Sequence, residues 1–141
     1  MAQFRLTPQI ILEPYAVQLS LSLPTRNSAV SVEKAAVGLI QELARRCDNE
    51  EGALIGHIKG FALGQNQDWL KISLTDSRRP VETEGSLSTP FGPVRFTLNA
   101  HVIGLTKDRI KTLVDASIQK LVEDLSVNIS RIDKGISENG S

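Results

Sequence analysis

The chain is poor in the residues that most often announce a chemistry. Its 141 residues hold one cysteine, Cys47, and two histidines, His57 and His101. A lone cysteine makes no internal disulfide, and neither histidine has a third ligand at recognisable spacing, so no metal site is expected. Excess charge of either sign is also missing. Lys plus Arg and Asp plus Glu number 16 each, which argues against both a polycationic nucleic-acid sponge and an acidic mimic. No apolar stretch approaches the ~18 residues of a spanning helix, and no basic-then-apolar leader opens the chain, so we expect a cytoplasmic protein with no membrane association. There is no nucleophile elbow, no phosphate-gripping glycine loop with lysine, no paired-cysteine motif and no His-Glu zinc signature. Gly56 and Gly60 lack the strand-turn-helix setting of a dinucleotide fingerprint. The balance points away from an enzyme, and no cofactor is expected.

What is present is hydrophobic periodicity. Val94, Phe96, Leu98, Ala100 and Val102 alternate with Arg95, Thr97, Asn99 and His101, the two-residue repeat of a half-buried strand. After Gly104 the repeat becomes helical, with Ile110, Leu113, Val114, Ile118, Leu121, Val122 and Leu125 on one side. Thr106 stands at the N-cap position, and Leu105 can staple onto Ile110. Upstream, Tyr15, Val17, Leu19, Leu21 and Leu23 alternate as a strand that Pro24 ends. Asn27, Ser28 or Ser31 can cap a helix from about Ser31 to Cys47, striped by Val32, Ala35, Ala36, Leu39, Ile40 and Leu43. Ala53 to Leu63 and Trp69 to Thr75 read as two more strands joined by a polar turn over 64–68.

This pattern predicts an α+β fold: an antiparallel sheet of four to five strands, in the order β-α-β-β-β-α, with two amphipathic helices packed on one face. The 18 residues from Asp76 to Pro93 are long for a connection, and 81–87 admits an extra short strand. We expect one domain over 1–134 and a disordered tail over 135–141. Pro8 and Pro14 make the start an edge strand or extended arm. The helix–three strands–helix order from Ser31 to Leu125 resembles double-stranded RNA-binding domains in order only. Those domains carry a lysine cluster at the start of the last helix, whereas here Lys107, Arg109 and Lys111 are interleaved with Asp108 and Ile110, so no functional residue is carried over.

If the apolar sides face inward, the outward side of the strands carries Gln18, Ser20, Ser22, Ile55, His57, Lys59, Phe61, Trp69, Lys71, Ser73, Thr75, Arg95, Thr97, Asn99 and His101. That set has no acid. We therefore expect a partner-binding or anion-binding face formed by Lys59, Lys71, Arg95, His57, His101, Trp69 and Phe61. The leading expectation is a non-catalytic binding or assembly module that presents this face to a second subunit, as a homodimer or larger oligomer, or to an anionic partner. An alternative is an RNA- or nucleotide-binding domain, with phosphates on the cations and bases on the two rings. A third is a small enzyme with its site at a subunit boundary or under loop 76–93, using His57 or His101 as general base. The plainer account is that acids are depleted from strands in any case. Glu82 and Glu84 point to one side of an extended segment, but mutual pairing with Arg78 and Arg79 explains them more simply than catalysis does. Cys47 reads as a core residue rather than a nucleophile.

Overall fold

In the computed structural model, which describes residues 11–24, 31–88 and 93–132, the change of period at Gly104 is a real corner. Gly104 has φ +96°, and a Cβ there would collide with the carbonyl oxygen of Gly52. A left-handed conformation with backbone so close suits glycine alone. The strand before this corner is Val94–Ile103 and the helix after it is Lys107–Leu125, capped by the Thr106 hydroxyl, which accepts from the Arg109 amide at 3.1 Å.

The elements in chain order are β1 (Tyr15–Ser22), α1 (Val32–Asp48), β2 (Leu54–Leu63), β3 (Trp69–Leu74), β4 (Glu82–Ser86), β5 (Val94–Ile103), α2 (Lys107–Leu125) and β6 (Asn128–Arg131). They form one antiparallel sheet in the order β4-β3-β2-β5-β1-β6. Ser31 caps α1 by accepting from the Lys34 amide. The candidate caps Asn27 and Ser28, the segment before Ile11 and the expected tail over 135–141 lie outside the described residues.

Both helices lie on the same side of the sheet. α1 packs on β2 and β3 and touches β1 and β5, while α2 packs on α1, β1 and β6. Between the layers lie Leu19, Leu21, Ile58, Ala62, Leu70, Ile72, Phe96, Leu98 and Ala100 from the sheet, and Ala36, Leu39, Ile40, Leu43, Ile110 and Val114 from the helices. Cys47 is fully buried among them, and burial pushes its thiol up to about 12, so it stays protonated and inert. Gly60 marks the closest approach of the layers, because a Cβ there would come within 2.7 Å of Ile40 Cδ1 and still closer to the Phe96 ring.

The sheet departs from expectation in strand number and order. Among the described residues it has six strands, not four to five. The extra short strand does form, as β4. The other addition, β6, arises because Ser126 takes a left-handed conformation at φ 55° and ends α2, so Val127, Ile129 and Ile132 do not continue the helical stripe. With β4 occupying the free edge of β3, the long connection carries β5 back to the far side of β2. Four strands therefore separate the helices, and the likeness in order to double-stranded RNA-binding domains does not extend to the sheet. A third correction is local. A β-bulge between Ile55 and His57 inserts Gly56 opposite His101, turning Ile55 into the core and Leu54 outward.

Candidate functional site

Cross-strand register decides which side chains share the uncovered side, since paired residues in an antiparallel sheet point the same way. One row runs Glu84, Lys71, Phe61, Thr97 and Gln18; the next runs Glu82, Ser73, Lys59, Asn99 and Ala16; a third runs Ser86, Trp69, Leu63, Arg95 and Ser20. Beyond the Lys59 row, His57 pairs directly with His101. All seven residues singled out from the sequence thus occupy one face, and among the described residues no helix covers it.

The centre of the face is apolar. Phe61, Leu63 and Trp69 are 38%, 41% and 41% exposed. The Phe61 and Trp69 rings stack with centroids 6.3 Å apart and planes 19° apart. Leu63 is the register partner of Trp69 and completes the patch; it continues the alternation through Phe61 by one step, the signal by which the sequence reading could have included it. Trp69 also lies over β4, where Gly85 has φ +83° and a Cβ would meet the indole ring at 2.8 Å. The indole thus holds the edge strand as well as facing solvent. Asp68 secures the same corner by accepting from the Ser88 amide and, at 2.9 Å, from the Ser88 hydroxyl. Those bonds hold its carboxyl below the usual range.

The face is not free of acid. β4 places Glu82 opposite Ser73 and Glu84 opposite Lys71, on the same side as the cations. Their expected pairing with Arg78 and Arg79 does not form among the described residues. Arg78 instead bonds Asp76 at 2.9 Å and draws its carboxyl down to about 2. The optional short strand over 81–87 forms as β4, and its pairing with β3 is what brings these two acids onto the face. A hollow of about 570 Å³ lies where β2, β3, β4 and β5 meet, lined by Lys59, Phe61, Lys71, Ser73, Glu82 and Glu84 among others.

The two imidazoles stack with centroids 4.3 Å apart at 30°. His57 is harder to protonate than an ordinary histidine, because of partial burial first and then the positive charges of His101 and Lys59. Among the described residues no group of three or more His, Cys, Asp or Glu side chains converges as metal ligands, and no helix is long and apolar enough to cross a membrane.

No family model, curated protein or solved structure matches this chain.

Proposed function

We propose that the protein is a non-catalytic assembly module whose uncovered sheet face docks a second copy of the same chain. The observation that carries this reading is the exposed stack of Phe61, Trp69 and Leu63 at the centre of a sheet whose opposite side alone is covered by helices. Exposed apolar clusters of this kind, ringed by polar groups, mark interaction surfaces.

Size and charge favour a second copy as the occupant. The six strands present on the order of 700 Å² of sheet, from ~4.8 Å between strands and ~3.3 Å per residue. Each partner in a standard interface buries about 800 Å². Lys59, Lys71 and Arg95 lie in the middle strands, with Glu82 and Glu84 on the β4 flank. A face carrying both signs is complementary to itself in a two-fold arrangement. The same two glutamates oppose nucleic acid, whose phosphates they would repel.

Sedimentation of the wild-type chain against Phe61→Glu tests the proposal. A wild-type dimer that becomes a folded monomer on substitution supports it. A wild-type monomer at all concentrations overturns it. Binding to single-stranded RNA that falls steeply with added salt and is lost in Lys71→Glu would establish the RNA-binding reading instead.

A further inference from the structure

We infer that the His57–His101 pair is an acid-operated release for this interface: when the pair takes up protons, two copies that hold each other through the sheet face separate. This deepens the assembly reading and rests on it.

The first support is position. His57 lies four residues from Phe61 on β2, or about 13 Å along a strand. An interface of ~800 Å² per partner centred on Phe61 and Trp69 extends about 16 Å from its centre. Trp69 pairs with Leu63, so the centre of the patch lies about one residue beyond Phe61, roughly 16 Å from His57, and the pair falls at the rim of the contact, where assembly strips part of its hydration.

The second support is the company the pair keeps. On its own strand the nearest charge is Lys59. From β5, on the other side of the bulge, comes His101 itself, with uncharged Asn99 and Ile103 beside it on that face. From the β3 side come Ser73 and, just beyond the strand, Thr75. Farther out, Arg79 and Glu82 line a small hollow with those two residues. Among the described residues no helix packs here, and no acid is the register neighbour of either ring. A carboxylate beside an imidazole would compensate a proton; two imidazoles stacked beside a lysine do the reverse. Assembly matches Glu82 and Glu84 of each copy to Lys59, Lys71 and Arg95 of the other, while the two imidazole pairs lose hydration without gaining a carboxylate, so the dimer binds protons less well than its separated chains. Linkage then requires acid to favour the monomer.

Gly56 is the extra residue of the bulge, and a Cβ on it would stand 3.1 Å from the His101 carbonyl oxygen. The insertion lets His57 point outward directly opposite His101 while Ile55 turns into the core.

The experiment is the dimer dissociation constant of the wild-type chain, by sedimentation, at about pH 7.5 and about pH 5.5, alongside a His57→Gln/His101→Gln double variant that cannot take charge. One proton per chain excluded from the interface raises the constant up to ~100-fold per pH unit below the titration. The expected result is at least a tenfold weakening in the wild type and none in the double variant. A wild-type dimer whose affinity does not change, or a double variant as acid-sensitive as the wild type, overturns the release while leaving assembly intact. A wild-type monomer at both pH values instead removes the assembly reading, and this one with it. Proton NMR of Phe61→Glu gives a separate check. His57 should titrate below the ordinary histidine value and move up towards it when His101→Gln is added, and a His57 midpoint that does not respond to His101→Gln overturns the coupling.

Discussion

Along β5, Val94, Phe96, Leu98, Ala100 and Val102 are buried, while Arg95, Thr97, Asn99, His101 and Ile103 between them are not. The same strands therefore bound two different environments. On one side the layers are packed so closely that Gly60 has no room for a methyl group. On the other, a stacked Phe61–Trp69 pair meets solvent. The covered side accounts for the stability of the fold, and substitutions there report on packing. The uncovered side carries the exposed residues, and under the proposed assembly substitutions there report on association. A protein that kept apolar residues on both sides merely by composition would show no such division of effects.

Phe96→Ala should produce the largest effect, because the ring is fully buried against β2 and α1. Removing a buried Phe costs about 3–5 kcal/mol, readable as a lowered denaturant midpoint with unchanged slope. Gly60→Ala comes next. Its methyl must displace the Phe96 ring and Ile40, and overpacking of this kind costs about 1–3 kcal/mol. A stable Gly60→Ala would mean that the layers are looser than described.

Phe61→Glu tests the opposite side. Monomer stability should move by only ~0.5 kcal/mol, as expected of a surface change, while self-association is lost. A large loss of stability in this variant would erase the distinction between the two sides.

The smallest effect concerns pH. His57 in the fold resists protonation relative to its ordinary value of 6.5. As pH falls through that value, the unfolded chain takes up a proton that the folded chain refuses, so stability declines over the window below it. In Phe61→Glu/His57→Gln this part of the decline should disappear relative to Phe61→Glu alone. An unchanged pH profile would show that His57 titrates alike in the folded and unfolded chains.

Much of this contrast was written in the sequence as periodicity. Alternation located β1, β3 and β5 closely, the three- and four-residue stripes located both helices, and Thr106 and Ser31 cap as their positions require. Parity along the strands was enough to group Lys59, Lys71, Arg95, His57, His101, Trp69 and Phe61. The parts that were not legible depend on pairing between distant segments. A short strand over 81–87 was legible as an option but its place in the sheet was not: Glu82 to Ser86 has no apolar alternation, because among the described residues no helix covers β4 and all five residues are exposed. Its strand character comes from the free edge of β3, and with it come the acids on the face. Ile55 was assigned to the wrong side because a bulge shifts parity by one, and Gly56 signals a bulge without fixing its position. Ile129 and Ile132 match a continuing helix as well as a strand, until Ser126 turns the chain.

Trp69 is the only tryptophan of the chain and stacks on Phe61 in the apolar patch, so its fluorescence reads the uncovered side without any label. The account predicts that the emission of the wild-type protein shifts to longer wavelength on dilution, as the indole passes from an interface into water, and that Phe61→Glu already emits at the diluted position at every concentration. A wild-type emission maximum that does not move with concentration, while sedimentation shows one molecular mass throughout, would contradict the claim that this face holds a second copy.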